Sequence, residues 1–216
     1  MQHTGTHFKN LALTMRKSFV EKILIKSGVS VFSASEFSKI LKINPVSARA
    51  FLSRNAKRDG SHIIKLKRGI YLFSLNPRFE FEIANKLYQP SYISFETALS
   101  HYNIIPEIVY AITSATTKRS KEMVVQNSVY KYNKIKKSLY FGYRPEKFNG
   151  RTVLMAEAEK ALLDYIYILS LRKGRINERL DITRINSQKL GAYVNYFKKA
   201  IKKNRAFISL INKIYG

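Results

Sequence analysis

Two helix-start signals stand eleven residues apart in the first third of the chain, and together they leave room for few folds. Ser33 and Glu36 form a capping box, a hydroxyl and a carboxylate three positions apart that satisfy the free backbone donors of a helix start. Phe37, Ile40 and Leu41 follow as the buried face of a short helix. Asn44 suits an N-cap, and Pro45 suits the first helical position, where its missing N–H is not needed. A third helix therefore runs from Pro45 to about Arg58, before Asp59-Gly60. Upstream, Leu11, Met15, Phe19, Ile23 and Leu24 recur at spacings of three and four, which predicts an amphipathic first helix ending at Gly28. Downstream, His62 to Leu66 and Ile70 to Ser74 flank a turn on Lys67, Arg68 and Gly69, and read as a β-hairpin. Helix, short helix, tight turn, helix and hairpin predict a winged helix-turn-helix.

At the helical period of about 3.6 residues per turn, Ala48, Leu52 and Asn55 share one side of the third helix, with Phe51 flanking them. This side is expected to pack on the first two helices. Opposite lie Val46, Ser47, Ala50, Arg54 and Lys57, with Arg49, Ser53 and Arg58 at the margins. Small residues let a backbone approach the major groove of duplex DNA, and Arg can pair bidentately with guanine. Ser47, Ala50 and Arg54, with Arg49 beside them, are the expected base contacts. Asn44, Lys57, Arg58, Lys65, Lys67 and Arg68 are the expected phosphate contacts, which set register and affinity without reading sequence. The competing interpretation is a protein-docking module with a solvated basic face; a basic hairpin tip directly after a basic helix argues against it.

Charge points the same way. The chain has 39 Lys and Arg against 14 Asp and Glu, a net +25, and such self-repulsion suggests an anionic partner, nucleic acid first. A Lys-biased, solvated surface is the alternative. With 45% hydrophobic and 12% aromatic residues the composition is that of a folded protein, and 216 residues suffice for two small domains, taken as 1–76 and 77–216. The absence of cysteine excludes disulfides, thiol nucleophiles and Cys-ligated zinc, and fits a reducing cytoplasm. His3, His7, His62 and His101 are scattered, so no metal is expected. There is no glycine-rich phosphate loop, no Ser-centred nucleophile elbow and no paired His. Glu80 with Glu82, and Glu157 with Glu159, point to different sides of a helix. Neither an enzyme nor a cofactor is expected. Ala161 to Leu171 is interrupted by Asp164 and falls short of the roughly 20 residues of a membrane span. No basic segment leads into an apolar run at the N-terminus, so no secretory signal is read and a cytoplasmic location is expected.

Beyond Asn76-Pro77 a helix is predicted over Glu80 to Tyr88, broken by Gln89-Pro90, and a short one over Phe95 to Tyr102 capped by Ser94. EIVYAITSATT, EMVVQNSVYKY and KKSLYFGYR predict three antiparallel strands, and RTVLM from Arg151 a short edge strand. A helix from about Ala156 to Leu171 should cover the sheet, with Glu159, Lys160 and Asp164 solvated or in i, i+4 pairs. The tail from Arg172 carries twelve Lys and Arg against Glu178 and Asp181, and predicts helices over 186–204 and 205–215. The fold class is thus α+β: a winged helix-turn-helix, then an α+β domain with a small antiparallel sheet covered by helices and a helical tail. Lys131, Lys134, Lys136 and Lys137 are interleaved with Tyr130, Tyr132 and Tyr140. An exposed strand edge protected by Lys is favoured over phosphate contact there. Lys198, Lys199, Lys202, Lys203 and Arg205 form either a solvated helix face or an additional phosphate-binding surface.

In this order, KRGIYLF (Lys67 to Phe73), YISFETALSHYNIIPE (Tyr92 to Glu107), AITSATTKRS (Ala111 to Ser120), YFGYR (Tyr140 to Arg144) and VLMAEAEKALLDYIYI (Val153 to Ile168) resemble the AbiEi family. That family comprises bacterial antitoxins and transcriptional regulators of abortive phage defence. The resemblance implies a winged helix that represses its own toxin-antitoxin operon by binding inverted-repeat operator DNA. It also implies a C-terminal α+β domain for antitoxin activity against a nucleotidyltransferase-like toxin, with or without direct contact, and self-association on DNA. A protein-interaction antitoxin that neutralises its toxin by direct binding is the alternative. The family's basic winged-helix positions fall on Arg49, Arg54, Lys57, Lys67 and Arg68. Asn55 departs from the pattern, standing where an apolar residue is usual, and the tail beyond Arg172 has no counterpart.

Overall fold

The computed structural model describes residues 16–202 and 204–215. Leu11, Met15, His3, His7 and Lys203, named above, lie outside the described residues. The chain divides into two compact units, Met1–Phe79 and Glu80–Gly216. The fold is mixed α and β, with eight α-helices and two sheets among the described residues.

The first unit contains α1 (Lys17–Ser27), β1 (Val31–Ser33), α2 (Ala34–Ile40), α3 (Pro45–Asn55), β2 (Ile63–Lys67) and β3 (Ile70–Phe73). The local signals act as expected. Gly28 ends α1 in the left-handed conformation with φ 66°, which glycine adopts without a Cβ penalty. Glu36 N–H donates to Ser33 Oγ at 3.1 Å and Ser33 N–H to Glu36 Oε2 at 2.7 Å, a complete capping box for α2. Asn44 Oδ1 accepts from Ser47 N–H at 2.8 Å, with Pro45 at the start of α3. Between these helices the buried Ser38 closes the turn, its hydroxyl donating to Ile43 O at 2.6 Å and its own carbonyl accepting from Ile43 N–H at 3.0 Å.

Two expectations about this unit are corrected. Phe19 is 57% exposed and Val20 takes its place on the buried face of α1, while Leu24 is buried and Ile23 half-buried against the core as expected. A strand was also missed: Val31–Ser33 pairs antiparallel with β3, so the hairpin is the outer part of a three-stranded sheet ordered β1-β3-β2. A three-residue strand that runs directly into a capping box leaves no alternation to read. The pairing matters because it ties the hairpin to the helices. Phe32 on β1 contacts Phe37 on α2 at 5.4 Å and Tyr71 on β3 at 6.3 Å between ring centroids, and Phe37 contacts Phe51 on α3 at 5.7 Å. Such ring pairs each add roughly 0.5–1.5 kcal/mol beyond their buried area. Asn76 finishes the unit, its buried amide donating to Leu24 O and Val29 O at 2.8 Å each and so satisfying carbonyls at the end of α1.

The second unit contains α4 (Glu80–Leu87), β4 (Ser91–Ile93), α5 (Phe95–His101), β5 (Ala111–Thr116), β6 (Lys121–Val125) and β7 (Ser128–Lys134). A 3-10 turn (Lys137–Leu139), β8 (Tyr143–Phe148), β9 (Arg151–Ala156), α6 (Ala158–Arg172), α7 (Ser187–Ala200) and α8 (Arg205–Tyr215) complete it. The predicted three antiparallel strands with an added edge strand are replaced by a six-stranded mixed sheet, ordered β6-β7-β5-β4-β9-β8. EMVVQNSVYKY is not one strand but a hairpin turning on Gln126 and Asn127, both at positive φ. KKSLYFGYR is mostly turn, and its last residues open β8. RTVLM is not an edge: β9 lies between β8 and β4, meeting β4 in parallel at Ile93 and Met155. The β8–β9 turn, Asn149-Gly150, has the residue pair that two-residue hairpins favour.

Helix α6 is the axis of this unit, packing against α5, α7, α8 and β9. It is buried nearly all round, including Glu159, Lys160 and Asp164, which corrects the expectation that these three are solvated. Lys160 does pair with Asp164 at i, i+4, but both side chains are fully buried. Asp164 Oδ2 accepts from Tyr92 Oη and Ser94 Oγ at 2.9 Å each. The Lys160 ammonium also donates to Tyr92 Oη at 2.7 Å and lies over the Phe141 and Phe197 rings at 5.4 and 5.2 Å. Burial pushes the Asp164 carboxyl up and the Lys160 ammonium down, each opposed by the charge of the other. Ser94 stands before α5 as expected, yet its hydroxyl serves Asp164 instead of capping. The helix start is met by Thr113 on β5, whose Oγ1 accepts from Thr97 N–H at 3.1 Å.

Candidate nucleic-acid interface

The core of the first unit decides which side of α3 faces water. Ala48, Phe51, Leu52 and Asn55 are buried, the four positions the helical period assigned to the inner side. Asn55, the departure from an apolar pattern, is buried without cost to the phase: its Nδ2 donates to Phe51 O, four residues back, at 2.9 Å. A buried amide with a partner avoids the penalty of about 1–3 kcal/mol that an orphaned one carries.

With that side turned inward, Val46, Arg49, Ala50, Ser53 and Arg54 are exposed and Ser47 is half-buried. The helix ends at Asn55, one turn earlier than predicted, so Lys57 and Arg58 are exposed on the loop that follows. On the hairpin Lys65 and Arg68 are exposed and Lys67 is half-buried; Lys67 ends β2 after a bulge that separates it from Lys65. Gly69, at φ 81°, makes the turn. Asn44 is exposed, but its amide oxygen is committed to the cap of α3, which leaves only the amide NH2 for an anion.

All ten sequence-derived positions therefore belong to one unit built on one core, eight exposed and two half-buried. Arg49, Arg54, Lys57, Arg58, Lys65 and Arg68 meet no carboxylate within 4 Å among the described residues. The unit supplies little to answer them, since residues 1–79 hold fifteen Lys and Arg against Glu21, Glu36 and Asp59. Glu36 is committed to the capping box and Glu21 lies 3.8 Å from Lys17. An unscreened cationic surface over a helix with small outward residues can hold a phosphate backbone while bringing the helix close to base edges. Val46, 69% exposed, adds an apolar side chain suited to a thymine methyl. It lies on the outward side that the helical period assigns, beside the polar and small residues expected to meet bases.

Among the described residues no group of three or more His, Asp or Glu is placed to hold a metal ion, and no helix is long and apolar enough to cross a membrane. No protein-family model matches the chain, and no curated protein matches it.

Proposed function

We propose that the first unit is a winged helix-turn-helix that binds operator DNA, with α3 in the major groove and the β2–β3 hairpin as the wing against the backbone. The observation that carries this reading is the exposed side of α3. Arg49, Ala50 and Arg54 are turned out by the burial of Ala48, Phe51, Leu52 and Asn55, in a unit where Lys57, Arg58, Lys65 and Arg68 also have no carboxylate within 4 Å among the described residues. In this reading Ser47, Arg49, Ala50 and Arg54 meet bases, and Asn44, Lys57, Arg58, Lys65, Lys67 and Arg68 meet phosphates. The five motifs between Lys67 and Ile168 that resemble the AbiEi family extend the proposal. The chain is then a cytoplasmic antitoxin that represses its own operon through inverted repeats and counteracts a nucleotidyltransferase-like toxin.

The test is a gel-shift titration of the full chain on its own upstream region and on a shuffled duplex, at two salt concentrations. Losing one bidentate arginine contact costs about 1–3 kcal/mol of base discrimination, so Arg54→Ala should weaken operator binding roughly five- to 150-fold while leaving shuffled DNA nearly unaffected. Binding indifferent both to sequence and to Arg54 overturns the operator reading. Repression of a reporter by the wild type and not by Arg54→Ala extends the test to cells, and toxin rescue assayed beside it separates the antitoxin half.

A further inference from the structure

Within the six-stranded sheet β4 and β9 are neighbours, yet they share a single register pair, Ile93 with Met155. One residue earlier on β9 a side chain takes the place of a strand partner. Leu154 N–H donates to Asn85 Oδ1 at 2.6 Å, and Asn85 Nδ2 donates to Leu154 O at 3.3 Å. Asn85 belongs to α4, which packs against both strands. Its amide satisfies the backbone of β9 where β4 does not, and a cavity of about 610 Å³ opens there, lined by the residues leading into β4, by β9, by α4 and by Tyr140 and Tyr143. That volume is within the roughly 300–1,000 Å³ of small-molecule sites.

Three properties of the lining define what it can hold. Ser91 is 3% exposed, and its Oγ has no hydrogen-bond partner among the described residues. A buried hydroxyl left unpaired is costly, so it favours whatever completes it. Tyr140 and Tyr143, both half-buried, supply aromatic surface, their ring centroids 5.1 Å apart. They are held in place from behind: Tyr143 stacks on the buried Tyr92 at 4.5 Å, and Tyr92 is fixed by Lys160 and Asp164. The only charged residues of the lining are Glu82 and Lys86, which face each other at 3.6 Å. We propose that this cavity binds a neutral aromatic heterocycle, its ring against Tyr140 and Tyr143 and its polar edge on the Ser91 hydroxyl.

The chemistry selects that ligand over two others. A phosphorylated ligand needs cations free to meet it, and in a chain of net +25 this lining balances one ammonium with one carboxylate. Burial pushes the Tyr140 phenol up, so that group also stays neutral. A purely aliphatic ligand would leave the Ser91 hydroxyl unpaired and gain nothing from the quadrupole of the two rings. A flat heterocycle meets both, stacking through its faces and bonding through its edge, with Gln89 and Thr152 at the exposed rim as further partners. Pro90 and Val153 complete the apolar lining. The inference stands apart from the operator reading, since it concerns a different unit and a small molecule.

The experiment is an NMR titration of the isotope-labelled full chain with indole, caffeine and adenosine as probes, with adenosine monophosphate as the charged counterpart and octanol as the aliphatic one. At least one of the three heterocycles should shift the amides of Ser91, Val153 and Leu154 saturably, and more tightly than either counterpart. Ser91→Ala removes one hydrogen bond and should weaken that probe roughly two- to thirteen-fold, while leaving the melting temperature at or above that of the wild type, because the hydroxyl has no partner to lose. Leu154→Trp, at a side chain 37% exposed, fills the cavity and should abolish binding. Arg54→Ala, which tests the operator reading, should bind the probe as the wild type does, so the two readings fail separately. No saturable shift with any of the three heterocycles at millimolar concentration overturns the proposal, as do shifts confined to residues outside the cavity. Equal or tighter binding of the monophosphate or of octanol also overturns it, as does a Ser91→Ala variant that melts like the wild type and binds the probe unchanged.

Discussion

The fully buried pair of Lys160 and Asp164 permits a double-variant cycle whose outcome follows from its hydrogen bonds. Removing one member of a buried pair typically costs about 3–5 kcal/mol, because the other is left as an uncompensated charge. In Lys160→Met the carboxylate keeps two donors, Tyr92 Oη and Ser94 Oγ, so the loss should fall near the lower figure, about 3 kcal/mol. In Asp164→Leu the ammonium keeps only Tyr92 Oη and the flanking rings, which places the loss near about 5 kcal/mol. Independent effects would sum to about 8 kcal/mol. The double variant buries no charge and leaves only two hydroxyls short of an acceptor, at about 1–2 kcal/mol each. It is therefore expected to be only about 3 kcal/mol less stable than the wild type, no worse than the milder single change. Native-state hydrogen exchange at the α6 amides is the suitable assay, because it reads the stability of this unit without assuming that both units unfold together. Single losses that add to within about 0.5 kcal/mol of the double would falsify the coupling, and a Lys160→Met loss below about 1 kcal/mol would show that the buried ammonium is not held as a charge.

Three further outcomes are expected. Ala50→Glu puts a carboxylate on the exposed side of α3, so it should abolish duplex binding in a gel shift while the melting temperature stays within a degree or two of wild type, roughly the reach of a surface change. Ser33→Ala and Asn44→Ala should each cost about 1 kcal/mol in thermal unfolding, the usual loss of an N-cap, with Asn44→Ala also weakening DNA binding if its amide meets phosphate. Burial raises the Glu157 carboxyl, but hydrogen bonds from Lys189 and Tyr193 outweigh it and hold the group below its ordinary 4.5. A depressed folded-state value stabilises above the unfolded one, so this contribution is present above pH 4.5 and is lost as pH falls through the folded value. Glu157→Gln should flatten that part of the acid-unfolding profile; an unchanged profile would show that Glu157 does not link α7 to α6.

The local chemistry of the first unit was legible before any tertiary contact was known. The capping box at Ser33, the Asn44-Pro45 start, the Gly28 stop and the inner side of α3 all depend on residues within one or two turns of each other, and each is found as read. Asn55 illustrates the limit: its place on the inner side was clear from the helical period, but not that its amide would be satisfied by Phe51 O. The second unit was less legible because its pairings are long-range. Whether β5 meets β7 or β6, and whether β9 is an edge, depends on partners far along the chain, and alternation within a strand is silent about its neighbours. The two short hairpins turning at Gln126-Asn127 and Asn149-Gly150 were hidden for a different reason, the first inside an unbroken β-prone run and the second between segments read separately.

By itself, then, the sequence determined the helices of the first unit, the phase of α3 and the excess of positive charge, since helical period, capping and charge count are properties of neighbouring residues. Only the tertiary structure decided that Lys160 and Asp164 are buried, because i, i+4 spacing is the same for a solvated pair and a buried one. It also decided that β9 is internal to a mixed sheet. And it decided that Lys136 lies against the end of α7, joining two distant basic runs, because a contact between far segments is set by how the core packs and not by the residues beside it.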